Sequence, residues 1–119
     1  MIMSLSSVSY AFREIARGSF MEAHTESITV LESNESTLSE ISKLNIPEFD
    51  ESGGVDYTKE FLVLIIASAC PNPGYSIVVE AIDFKDGKTN VKYKTARGAE
   101  GMMYAQVISY PWLLVAVER

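Results

Sequence analysis

The sequence predicts an α+β fold that is mainly β: an antiparallel sheet or sandwich with one short helix, at about residues 34–44, packed on it. Segments rich in β-branched and aromatic residues, separated by turns that contain glycine or proline, fill the second half of the chain. Asp86-Gly87, between two such segments, is a strong β-hairpin signal. Helical spacing of apolar residues occurs in a single segment. Strands and helices do not alternate along the chain, so a parallel sheet is not predicted.

The N-terminal part contains one ambiguous segment and one clear strand. Residues 10–18 fit either a short helix or a strand, because Tyr10 and Phe12 alternate as strand residues do and Gly18 is a stop signal for both. Residues 27–31 are rich in β-branched side chains and predict a strand.

The predicted helix follows directly. Ser33 or Asn34 can cap its N-terminus, since either side chain can accept a hydrogen bond from a free backbone N–H. Leu38, Ile41 and Leu44 recur at a spacing of three and define a single apolar stripe. A short helix with only one face to bury is expected to lie against a sheet.

The second half reads as strands joined by tight turns. Residues 61–68 are apolar on both faces and predict a central strand that is covered on both sides. Residues 71–74 predict a tight reversal, because proline fixes φ and glycine supplies a left-handed position. Residues 75–84 and 88–95 then form a hairpin. Alternation in its second strand predicts three inward-facing residues: Val91, Tyr93 and Thr95.

The C-terminal part is predicted to contain two further strands. Residues 96–103 form a glycine-containing loop, and residues 104–110 a strand. Pro111 is predicted to end that strand before the last one, at residues 112–117. A length of 119 residues is that of one domain, so residues 1–119 are expected to form a single domain.

The charge balance and the apolar runs exclude several classes of partner. Ten basic and sixteen acidic residues give a formal net charge of -6, which disfavours nucleic-acid binding. Residues 46–60 predict an acidic connector that lacks the ligand spacing of a calcium-binding loop. The longest apolar run, residues 61–67, is too short to span a bilayer. Residues 1–9 carry no secretory signal, so the expected location is cytoplasmic.

No pattern of residues predicts catalysis, a metal site or a cofactor. His24 is the only histidine and Cys70 the only cysteine, whereas a structural zinc site takes four ligands. His24 lies in a polar stretch and is expected to be structural or solvent-exposed. Cys70 follows an apolar run and is expected to pack as a small hydrophobic residue. The chain is therefore expected not to be an enzyme.

Two loops carry side chains that are typical of protein interfaces. Tyrosine is frequent among the residues that dominate binding energy, and methionine adapts to irregular surfaces. The candidate partner-binding residues belong to a rigid turn and to a methionine-containing loop: Asn72, Pro73, Gly74, Tyr75, Arg97, Met102, Met103 and Tyr104. The alternative is that Tyr75 and Met103 pack into the core from the strand ends.

Three segments of the chain, residues 55–63, 73–80 and 109–115, resemble the C-terminal domain of the PrcB family. They match the start of a strand, a Gly-Tyr-Ser-Ile turn and strand, and a closing strand with a proline and an aromatic residue. A weaker resemblance covers residues 12–18 and the strand around Ile28.

The resemblance implies an accessory domain that binds another protein, a protease in this family, and stabilises it without catalysing a reaction. Members of the family are often exported. Pro73 stands where the family often has a glycine, and the loop at residues 96–103 lacks a proline that is often found there. If either loop contacts a partner, these departures imply a different specificity.

Two other functions remain open from the sequence. Residues 72–75 are loosely similar to the Asn-Pro-Thr-Thr-Gly-Tyr loop of chagasin-type inhibitors of cysteine proteases, which are also β-sandwiches. A β domain of this kind can also bind a small molecule.

Overall fold

The computed structural model of the protein describes residues 8–44, 55–98 and 107–119. Within these ranges the predicted fold class is confirmed, because antiparallel strands dominate and one short helix accompanies them. The strands and the helix, in chain order, are β1 (Val8–Ser9), β2 (Phe12–Phe20), β3 (Ser27–Leu31), α1 (Asn34–Leu44), β4 (Glu60–Ile66), β5 (Tyr75–Lys85), β6 (Lys88–Arg97) and β7 (Tyr110–Glu118).

The strands form two antiparallel sheets. One has the order β2-β7-β4-β3 and the other the order β1-β5-β6. Strands β4 and β7 occupy the centre of the larger sheet, and their side chains are buried on both faces. The prediction of a central, doubly covered strand is therefore confirmed for β4.

The larger sheet has a separate apolar core on each of its faces. Alternate residues of β4 and β7, such as Val63 and Val115, pack against Ile77 and Ile82 of the smaller sheet. The opposite face of the same strands packs against Ile41 of the helix, together with Leu31 at the end of β3. The molecule is therefore a β-sandwich with a helix on its outer face.

The helix begins as predicted, and Ile41 and Leu44 of the predicted stripe pack against the core, but Thr37 takes the place of Leu38. The Ser33 hydroxyl accepts a hydrogen bond from the Ser36 backbone N–H at 3.1 Å, which makes Ser33 the N-terminal cap. The prediction that Leu38 faces the sheet is wrong, because Leu38 is 42% exposed while Thr37 is fully buried. Thr37 can be buried because its hydroxyl donates to the Ser33 carbonyl at 2.9 Å and accepts from the Tyr57 hydroxyl at 2.9 Å.

The N-terminal segment is a strand and passes from one sheet to the other. The Tyr10 N–H donates to the Ile82 carbonyl at 2.9 Å in the smaller sheet. From Phe12 onward the chain pairs with β7 in the larger sheet. Gly18 does not end this strand, which continues to Phe20 because its backbone keeps pairing with β7.

The prediction that Pro111 separates two strands is wrong, since β7 runs through Pro111 from Tyr110 to Glu118. Proline has no N–H to donate, but it lies at the second residue of the strand and keeps its carbonyl. That carbonyl accepts a hydrogen bond from the Ala67 N–H at 2.9 Å. Residues 104–106 of the strand predicted before Pro111 lie outside the described residues, as do residues 46–54 of the predicted connector.

A hydrogen bond connects the edge strand β6 of the smaller sheet to the segment that leads into β3 of the larger sheet. Val91 and Tyr93 are half-buried as predicted, but Thr95 is exposed near the end of β6. The Tyr93 hydroxyl donates a hydrogen bond to the carboxylate of Glu26, just before β3. Burial and this hydrogen bond raise the pKa of Tyr93 to about 12, which extends to higher pH the range in which the hydroxyl is a donor.

The predicted hairpin joins β5 and β6 by a two-residue turn. Asp86 has φ of 56° and Gly87 φ of 76°, which are the left-handed values that a type I′ turn requires. Lys85 and Lys88 face each other as the last strand pair before the turn.

We expect Gly87→Ala to lower the free energy of unfolding by about 1 kcal/mol, measured by urea denaturation. Nothing lies within 4 Å of the position of an added Cβ, so the cost comes from the positive φ alone. Gly87→Asn is the matched control and is expected to cost less, because asparagine tolerates the left-handed region. Equal losses in the two variants would contradict this explanation.

Candidate functional site

The turn before β5 is held in shape by two hydrogen bonds of its own residues. The Asn72 side-chain oxygen Oδ1 accepts from the Gly74 N–H at 2.8 Å, closing a local turn. The buried Ser109 hydroxyl Oγ donates to the Asn72 carbonyl at 2.9 Å. The turn is thereby fixed both internally and to the segment that leads into β7.

A short backbone ladder anchors the segment that directly precedes the turn. The N–H of Cys70 donates to the carbonyl of Ser109 at 2.8 Å, and the Ser109 N–H donates back at 2.9 Å. Cys70 is 6% exposed, which confirms that it packs as a buried residue. A buried thiol in this position supports the turn and is poorly placed to meet a substrate.

The structure brings two of the predicted partner-binding residues together across the smaller sheet. Tyr75 is the first residue of β5 and lies directly opposite Arg97, the last residue of β6. Tyr75 is half-buried, so its ring has a solvent-accessible part, and Arg97 is exposed. Met102, Met103 and Tyr104 lie outside the described residues.

A pocket of about 170 Å³ lies next to this pair, between the edge of β2 and the beginning of β5. The residues that line it come from three segments of the chain: Arg17, Gly18, Ser19, Pro73, Tyr75, Ser76, Ile77 and Trp112. Sequence reasoning identified the β5 side of this pocket and missed the β2 side. No local signal reports that β2 lies beside the turn, because the order of the strands brings them together.

The pocket carries a cation and an aromatic rim. The Arg17 guanidinium donates to the Glu14 carboxylate, with one N–O distance of 2.8 Å, and this hydrogen bonding lowers the pKa of Glu14. Glu14 is not among the residues that line the pocket, and no other acidic residue lines it. The lining is therefore basic and apolar in a chain whose net charge is -6.

His24 is occupied by ring contacts. Its ring stacks on that of Phe20 with 3.9 Å between the centroids, and it contacts the Tyr110 ring edge-on at 6.4 Å. The half-buried His24 thus has a structural explanation, as the sequence predicted. Within the described ranges, no three His, Cys, Asp or Glu residues are grouped so that they could hold a metal ion.

The fold and the site together define a class: a helix-covered antiparallel β-sandwich whose candidate site is a braced turn beside a small pocket. No helix in the described part of the chain is long and apolar enough to cross a membrane. Residues 61–118 match the model of a protein family described as PrcB C-terminal. The resemblance that the sequence predicts is thus confirmed for the part of the chain that runs from β4 to β7.

The matched range contains the turn, Tyr75, Arg97 and Trp112, whereas β2 and the helix lie before it. No curated protein and no solved structure matches the chain. The identity of any partner is therefore a matter for experiment.

Proposed function

We propose that this chain is a non-catalytic accessory domain that binds another protein, with a protease as the expected partner, and stabilises it. Its contact surface is the turn of residues 72–75 together with Arg97. The family match supports the accessory role, because the resemblance to the PrcB family implies an accessory domain that binds a protease.

The braced turn is the observation that carries the proposal. A binding surface loses less entropy when its loops are already rigid in the free protein. Here the hydrogen bonds of Asn72 and Ser109 fix the turn before any partner arrives. Tyr75 and Arg97 then present an aromatic ring and a guanidinium side by side, and both residue types are enriched among those that dominate binding energy.

We expect Tyr75→Ala to abolish co-purification of the partner from the native host while leaving the chain folded. Removal of one dominant interface side chain costs about 2 kcal/mol or more of binding free energy. The measurement is affinity purification of the tagged chain followed by mass spectrometry, with circular dichroism of the same preparations to establish folding.

Phe84→Ala is the matched control. Phe84 is also an aromatic residue of β5, is 41% exposed, and lies near the other end of the strand. We expect this variant to retain the partner. Loss of the partner in both variants would indicate a general weakening of β5, and retention in both would exclude the turn as the contact surface.

The inhibitor hypothesis makes a different prediction for the same turn. An inhibitor of the chagasin type would insert residues 72–75 into a papain-like active site and reduce its turnover, whereas a stabilising accessory domain would leave turnover unchanged. A papain activity assay with an excess of the chain separates the two functions. We expect no inhibition, because Ser109 and Cys70 hold the turn back against the sheet edge.

The pocket volumes do not favour a small-molecule function. Two pockets in the described part of the chain measure about 170 and 110 Å³. Pockets for drug-sized ligands occupy roughly 300–1,000 Å³. The described pockets are thus large enough for one side chain of a partner protein.

A further inference from the structure

Strand β5 is paired along its whole length on one side and only partly on the other. Strand β6 pairs with β5 along the full length of β5, from Tyr75 to Lys85. On the opposite side, β1 pairs only with Asp83 and Phe84, and Tyr10 donates to the carbonyl of Ile82. From Phe12 onward the N-terminal segment pairs with β7 in the larger sheet instead. Among the described residues, no strand pairs with the remaining edge of β5, at residues 75–81.

This open edge belongs to an existing ladder. In an antiparallel pair, alternate residues direct their N–H and C=O groups away from the partner strand. The backbone of residues 75–81 therefore offers donors and acceptors on the side that β1 has left. The register of β5 shifts at Glu80, so the regular part of the open edge is residues 75–79, and an added strand would pair with that part.

The edge borders the pocket that contains Arg17 and Trp112. Tyr75, Ser76 and Ile77 belong both to the open edge and to the pocket lining. An added strand would place alternate side chains on the pocket side, because successive strand residues point to opposite faces. One apolar side chain has room in a space of about 170 Å³ lined by Ile77, Pro73 and Trp112.

The charged residues around the pocket indicate which side chains of the added strand would flank its apolar residue. Arg17 lines the pocket and Arg97 lies opposite Tyr75 at the same end of β5. No acidic residue lines the pocket, although the chain has sixteen of them. Arg17 is already paired with Glu14, so the guanidinium that a carboxylate beside the apolar anchor would meet is that of Arg97, with which it can form strong paired hydrogen bonds.

We infer that the open edge of β5 binds an extended, acidic peptide segment of a partner protein by adding it as a further strand of the smaller sheet. The inference rests on the proposed protein-binding function and names the mode and the chemistry of recognition. Main-chain hydrogen bonds supply affinity, and the pocket together with Arg97 at the same end of β5 supplies specificity.

The test uses a fluorescein-labelled peptide of sequence Thr-Glu-Val-Leu-Val-Glu-Thr, blocked at both ends, and fluorescence anisotropy with the full chain. In a strand, its leucine and both glutamates share one face. We expect saturable binding, and at least about tenfold weaker binding when the glutamates are replaced by lysines, because the charge match is lost.

The mode of binding is tested by methylating backbone nitrogens of the same peptide. One version is N-methylated at the two valines and the other at the leucine and the glutamates. A peptide that pairs along one edge needs only alternate N–H groups, so the two versions are expected to differ by at least about tenfold. Equal affinities of the two versions would overturn the added-strand mode.

Two variants of the chain complete the test. Arg97→Glu is expected to weaken binding by about tenfold, since it reverses the charge opposite Tyr75 at the end of the open edge. Lys92→Glu makes the same reversal on an exposed residue of the same strand, away from this end, and is expected to change the affinity by less than about twofold.

The outcomes separate this inference from the proposed function. If a partner co-purifies through Tyr75 but the peptide does not bind, the protein-binding function stands and the added-strand mode fails. If peptide binding is equal for Arg97→Glu and Lys92→Glu, the acidic specificity fails. If neither partner nor peptide binds the folded chain, both proposals fail.

Discussion

Leu64→Ala is expected to lower the free energy of unfolding by about 2–5 kcal/mol, the usual cost of a cavity at a fully buried leucine. Leu64 is 1% exposed and lies in β4 between two other strands of the larger sheet. Its neighbours are held by pairing on both sides, so they can collapse only slightly into the space. Small domains have a total stability of about 5–15 kcal/mol, so this single change removes a large share of it.

Leu38→Ala is the matched control for the same chemical change. Leu38 is 42% exposed on α1, and alanine has the higher helix propensity. We expect a change of less than about 1 kcal/mol. Urea denaturation followed by circular dichroism measures both variants. A loss for Leu38→Ala as large as that for Leu64→Ala would mean that the helix buries the stripe predicted from its sequence.

Gly18→Ala is expected to destabilise the chain by about 1–3 kcal/mol, the cost of forcing extra atoms into a packed region. A Cβ at Gly18 would lie 2.8 Å from two atoms of the Trp112 indole. The indole is 6% exposed and belongs to the core beneath the helix, so moving it would disturb its contacts in that core. This close approach explains why a glycine lies inside β2.

A double-mutant cycle separates steric conflict from any general effect of alanine in the strand. In a Trp112→Leu background the ring is gone, and Gly18→Ala is expected to cost close to nothing. The coupling energy between the two changes should then be about 1 kcal/mol or more. Additive effects of the two substitutions would contradict the proposed contact.

Features with a local physical cause could be predicted from the sequence. The hairpin depends on two adjacent residues that accept a positive φ, and Asp86-Gly87 supplies both. Strand β4 is apolar on both faces because it is buried on both faces, so its residue types alone predict its place. The helix cap at Ser33 is likewise a short-range effect.

Features that depend on distant residues could not be predicted. Thr37 replaces Leu38 on the buried stripe because the Tyr57 hydroxyl, far along the chain, satisfies its oxygen. Pro111 is accepted inside β7 because Ala67 of another segment uses its carbonyl.

The candidate site shows the same division. The β5 half of the pocket could be predicted from the Asn-Pro-Gly-Tyr turn, which is local. Arg17 and Gly18 enter it only because β7 pairs with β2 and the two sheets stack. The weaker family resemblance at residues 12–18 does not predict this contact, because it concerns the residues of that segment and not those that lie beside them in the fold.

The position of β7 also governs when the larger sheet can form during synthesis. Strands β2 and β4 are not neighbours, and β7 lies between them and pairs with both. Because β7 is translated after every other described strand, β2 and β4 cannot be joined in one sheet until β7 emerges from the ribosome. Until then the edge of β4 that pairs with β7 has no partner strand, and contacts so distant along the chain form slowly. We therefore expect this domain to depend on chaperones for solubility while it is being made.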